Sequence, residues 1–131
     1  MTSLSGFWAG AYHYPQDSAP SVNFDCELIE TAGALSGEIT ESHGFRHMLV
    51  AVLTGSLVGR HIEFIKSYRN TGDLRLWEIT YSGQVNAEKD HIKGLWHAAG
   101  RQGTFEMHRD AGQLRETETK QETIDLPTAF P

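Results

Sequence analysis

A chain of 131 residues with 39% hydrophobic and 21% charged side chains has the balance of one globular domain around a single buried core. Its formal net charge of −6 argues against a nucleic-acid backbone as partner, because no basic excess exists to displace counterions. No apolar run reaches membrane-spanning length, "MTSLSGFWAG" lacks a signal peptide's basic start and apolar middle, and the single Cys26 cannot form an internal disulfide; the expectation is a soluble cytoplasmic protein with no membrane partner.

Period two dominates, and helical periodicity is absent before residue 110. Alternating segments run over 6–14, 22–31, 35–41, 47–57, 61–69, 75–85, 91–98 and 103–110, each bounded by Gly, Asn, Asp or Pro. Links such as "TAGAL", "LVGRH" and "NAEKD" are too short for a Greek-key return, so consecutive hairpins form a meander. The predicted fold is all-β: an eight-stranded antiparallel up-and-down β-barrel, its interior filled by side chains or holding one small ligand. The barrel domain covers 1–110. Residues 111–131 form a C-terminal tail, polar in "AGQLRETETKQET" and apolar in "IDLPTAFP", that is helical, docked or flexible.

One parity collects the residues expected to face inward. It holds Trp8, Gly10, Tyr12 and Tyr14, then Phe24, Cys26 and Leu28, then Leu35, Gly37 and Ile39. It continues through Leu53, Gly55, Phe64, Lys66, Tyr68, Trp77, Ile79, Tyr81 and Gly83 to Ile92, Gly94, Trp96, Phe105, Met107 and Arg109. Five strands thus put a glycine on the inner face, where a small closed barrel needs sharp bends or room for a bulky neighbour.

These residues resemble the calycin superfamily, which includes lipocalins, fatty-acid-binding proteins and avidins. "SGFWAGAY" is similar to the G-x-W opening strand, and the resemblance implies that Arg109 packs over Trp8 and plugs one barrel end. "GALSGEITES" (33–42) and "KSYRNTGDLRLWEITYSGQV" (66–85) are similar to hairpins of the avidin family, and "HIKGLW" keeps its I-x-x-x-W spacing. The biotin-binding polar set that the family would imply is not carried over: the matching positions hold Gly10, Tyr14, Ile39, Glu41 and Arg109 or Asp110. Of the aromatic walls, Trp96 matches, Tyr81 replaces a Trp, and the third lies near Phe64 or Ile65. A polar head group without its hydrogen bonds loses orders of magnitude in affinity, so the ligand expected is not biotin.

With the terminal strands adjacent, the links after odd-numbered strands share one rim, opposite the Trp8–Arg109 plug. That rim carries Arg46, Arg69, Arg75 and Arg101 against Asp17, Glu41 and Asp73, a slightly positive mouth on an acidic molecule. Below it, Tyr12, Tyr14, Phe64, Tyr68, Trp77, Tyr81 and Trp96 supply flat walls, while Lys66 either pairs with Glu41 or meets a ligand carboxylate. The reading is a binding protein for a small, partly apolar, anionic molecule; the alternative is an interaction barrel with a filled core.

No nucleophile elbow, phosphate-cradling loop or paired His/Cys arrangement appears. Catalysis would rest on Tyr12, Lys66 and Glu41 alone, as in calycin-type isomerases or cyclases, so no catalytic residue is assigned. "HGFRH" (43–47) has metal-ligand spacing only if helical, and His61, His91, His97 and His108 fall on the outward parity; no metal or cofactor is expected. "LVAVL" (49–53) is apolar on both faces, leaving Val50 and Val52 for the tail or for a second subunit in a homo-oligomer.

Overall fold

The protein is described from a computed structural model that covers residues 3–43, 47–69 and 78–109. Eight strands form a closed barrel in chain order: β1 (Gly6–His13), β2 (Val22–Thr31), β3 (Ala34–His43), β4 (His47–Val58), β5 (His61–Tyr68), β6 (Glu78–Val85), β7 (His91–Ala98) and β8 (Arg101–His108). Every neighbouring pair is antiparallel, and β1 closes the wall on β8 from Ala9 opposite His108 to His13 opposite Thr104. The expected all-β, up-and-down barrel is therefore the observed fold. Among the described residues no helix is long and apolar enough to cross a membrane.

Local chemistry sets the turns. Ala32 and Gly33 join β2 to β3 with φ of +52° and +87°, and Ala99 and Gly100 join β7 to β8 with +51° and +78°. Two consecutive left-handed residues twist a two-residue hairpin in the same sense as its strands. The second turn brings Arg101 and Gln102 into the ladder, so β8 starts before the expected 103 and ends at His108, leaving Arg109 just beyond it. Likewise β1 ends at His13 rather than 14, and β5 at Tyr68 rather than 69. The Asn86–Asp90 link is held by the Asn86 side chain, whose Oδ1 accepts from the Asp90 and His91 amides at 3.0 and 2.9 Å. The expected start of the sixth strand at 75, Asp110 and the tail 111–131 lie outside the described residues.

The inward parity is the core. Trp8, Phe24, Leu28, Ile39, Leu53, Ile62, Phe64, Tyr81, Ile92, Trp96, Phe105 and Met107 are all buried. Gly83 and Gly94 face each other across β6 and β7. A Cβ on Gly94 would collide with the Ser82 carbonyl oxygen, and one on Gly83 with that of Lys93, so the two strands approach here so closely that only hydrogen fits. Gly103, not singled out by its sequence context, does the same beneath the Trp96 indole and the His13 carbonyl.

One end of the barrel is sealed. The Arg109 guanidinium lies 4.7 Å from the centroid of Trp8 and donates to the backbone carbonyls of Lys89 (3.1 Å), Ser5 (2.8 Å) and Ser3. The Trp8 indole N–H donates in turn to the Leu4 carbonyl at 2.9 Å. The fully buried Leu4, upstream of any periodic pattern, completes this plug. Above it, Tyr81 stacks on Phe64 (4.8 Å, 8° between planes) and meets the edge of Phe105 at 4.9 Å.

Candidate functional site

The site begins with a charged pair in the barrel interior. Lys66 on β5 and Glu41 on β3 are 1% and 0% exposed, with Nζ 2.6 Å from Oε2. Both strands carry these residues on the inward parity, which keeps both charges inside the barrel rather than on its outer wall. The Tyr12 hydroxyl donates to Oε1 of Glu41 at 3.1 Å, and the Tyr68 hydroxyl lies 2.9 Å from both carboxylate oxygens. The ammonium also faces three aromatic rings, with centroids at 4.5 Å (Tyr12), 4.8 Å (Tyr68) and 5.2 Å (Tyr81). Cation–π attraction is strongest in such a desolvated setting.

Burial and the adjacent carboxylate act together on the tyrosines. Burial first, then the Glu41 charge, pushes the Tyr12, Tyr68 and Tyr81 hydroxyls well above the usual phenol range. All three are therefore neutral donors at physiological pH. Burial draws the Lys66 ammonium below its ordinary value, and Glu41 opposes that. The local charge is one positive and one negative group in direct contact.

Above this pair the barrel opens into a recess of about 190 Å³. It is lined by Tyr12, Tyr14, Lys66, Tyr68, Ile79, Tyr81, Trp96, Ala98, Ala99 and Arg101. Trp96 is fixed by its indole N–H, which donates to the His13 carbonyl at 3.0 Å, and by edge contacts with Tyr14 (5.4 Å, 79°) and Tyr12 (6.2 Å, 71°). At the rim, the Arg101 guanidinium sits 5.5 Å from the Tyr14 ring centroid.

Tyr12, Tyr14, Lys66, Tyr68, Tyr81, Trp96 and Arg101 thus converge as their parity and turn positions suggest. Glu41 lies beneath the recess rather than in its wall, held by Lys66 and the tyrosines. Phe64, expected as a wall, lies deeper, stacked under Tyr81. Arg69, expected at the mouth, instead pairs with Glu38 at 3.1 Å, a half-exposed contact to an outward-facing residue of β3. Arg46, Arg75 and Trp77 lie outside the described residues. Ile79 and Ala98, on the inward parity, join the lining, as does Ala99 in the following turn, which has no strand periodicity of its own. Among the described residues no group of three or more His, Cys, Asp or Glu side chains is arranged to hold a metal ion.

No family model matches this chain, and no curated protein does. A solved structure of a redesigned β-barrel superposes with a TM-score of 0.69, covering 82% of this chain and 91% of that one at 8% sequence identity. At that identity the likeness shows the fold alone: a closed eight-stranded antiparallel barrel with its strands in chain order.

Proposed function

We propose that the barrel binds a small, partly apolar, anionic molecule other than biotin in the recess at its open end. The observation that carries this reading is the recess itself. Aromatic faces with polar tips converge above a neutralised ion pair, and Arg101 stands at the rim with no side-chain ion pair or hydrogen bond among the described residues. Flat apolar walls with a few oriented polar groups are the usual lining of a small-molecule site. The Arg109 guanidinium over Trp8 supports kinship with the calycin barrels, for which that pairing is what the resemblance implies. Catalysis by Tyr12, Lys66 and Glu41 has less support, because Glu41 is walled off beneath the recess.

Native mass spectrometry of the purified protein reports subunit count and any retained ligand together. Titration of intrinsic tryptophan fluorescence with a panel of small organic acids follows, with Trp96 in the recess wall as reporter. Saturable quenching by at least one acid is the expected result. A flat response throughout, with no retained ligand, favours the second reading, an interaction barrel. That reading draws on the packed interior below Lys66 and on the apolar outer wall, where Met48 is 60% exposed beside half-buried Val50 and Val52. A homo-oligomer would then use this wall, and light scattering would detect it.

A further inference from the structure

Most polar groups around the recess already have partners. The Tyr12 and Tyr68 hydroxyls donate to Glu41, the Trp96 indole N–H donates to His13, and Lys66 is neutralised by Glu41. Among the described residues three lining groups differ, and one is Tyr14, whose half-buried side chain makes ring contacts but no hydrogen bond. The Tyr81 side chain is 2% exposed and its ring is clamped between Phe64 and Phe105, yet its hydroxyl makes no hydrogen bond among the described residues. No fully sealed side-chain oxygen or nitrogen among the described residues lacks a partner, so this hydroxyl opens onto the recess that Tyr81 lines. Arg101 is the third, a cation set against the Tyr14 ring.

Size narrows the occupant. An apolar cavity of about 150 Å³ holds one benzene molecule, and drug-sized sites run to roughly 300–1,000 Å³. The recess of about 190 Å³ takes one six-membered ring with a small substituent. Charge sets its direction. An anion pushed to the floor meets a lysine already neutralised and a carboxylate behind it, whereas at the rim it meets a guanidinium that pairs with no described carboxylate. Resting on the small-molecule reading above, the geometry points to a single-ring aromatic acid bound ring-first, its carboxylate outward on Arg101 and a ring oxygen on the Tyr81 hydroxyl.

Ligand-observed NMR titration of the full chain at low salt tests this with benzoate, 4-hydroxybenzoate, benzyl alcohol and hexanoate. Benzoate is expected to bind about tenfold more tightly than benzyl alcohol or hexanoate, the size of one charge-assisted contact or one well-stacked ring. 4-Hydroxybenzoate should bind about threefold or more tightly than benzoate through the hydroxyl contact. Arg101→Gln should bring benzoate down to the level of benzyl alcohol, and Tyr81→Phe should erase the gain from the ring hydroxyl. Benzyl alcohol or hexanoate equalling benzoate would overturn the aromatic-acid assignment while leaving small-molecule binding intact. Silence from all four probes in NMR and from the wider acid panel in fluorescence overturns both. The wild-type ranking decides the class without either variant, so a variant that fails to fold does not shelter it.

Discussion

Replacing Lys66 with Met removes the ammonium 2.6 Å from a Glu41 carboxylate that is 0% exposed and keeps two tyrosine donors. The methionine fills similar space, so the dominant loss is the partner of a buried charge, which costs about 3–5 kcal/mol. The cation–π contacts with three rings belong to the same loss and are not added to it. Against a domain stability of about 5–15 kcal/mol this is severe, a fall in melting temperature of roughly 10–20 °C. The double variant Lys66→Met, Glu41→Gln removes both charges, and the amide oxygen still accepts from Tyr12 and Tyr68. It should be more stable than Lys66→Met alone by about 2 kcal/mol or more, the signature of a coupled pair. Urea denaturation followed by circular dichroism, on the wild type, both single variants and the double variant, measures the coupling energy. Additivity within about 0.5 kcal/mol would refute the claim that these charges depend on each other.

Three further outcomes follow from the structure. Arg109→Ala should cost about 3 kcal/mol, and Arg109→Lys should recover little of it, because an ammonium cannot stack flat on Trp8 while donating to three separate carbonyls; chemical denaturation measures both. Tyr81 has a folded-state pKa raised above its unfolded value of about 10, so its contribution to stability is fully present below that pH. Above it, stability should fall by up to about 1.4 kcal/mol per pH unit from Tyr81, with Tyr12 and Tyr68 acting in the same direction, and denaturation at pH 9 to 11 checks the slope. The buried Cys26 thiol, pushed up to about 12 by burial and then by its acidic neighbours Glu27 and Asp25, should be inert to a thiol reagent at pH 8 in the native state and react promptly in urea.

Much of this architecture was legible because a strand's two faces alternate strictly. Alternation marked the core side, and inward glycines such as Gly83 and Gly94 marked where neighbouring strands approach too closely for a side chain. The Lys66–Glu41 pairing could be anticipated because two opposite charges on the inner face must find each other. Height along the barrel axis was not legible. It depends on how far each strand is offset from the next, which turn geometry sets, and so Phe64 lies under Tyr81 instead of lining the recess. Arg69 was misleading for a related reason: a residue just past a strand end can swing to either side of the wall, and Glu38 draws it outward. Leu4 has no periodic context, and the unengaged hydroxyl of Tyr81 is a property of its neighbours rather than of its own position.

Closure of β1 onto β8 has a consequence for assembly. A sheet normally ends in strands whose unpaired N–H and C=O groups can recruit another chain, and proteins guard such edges with charges, prolines or bulges. A cylinder in which each strand has a neighbour on both sides has no such border to guard. The apolar residues on its outside, Phe7, Ile29, Met48, Ile65 and Leu95, can therefore be tolerated without inviting strand addition. Association between copies through the described barrel wall would be built from side chains rather than strand edges, and so can be dissected by single surface substitutions that leave the backbone ladder untouched.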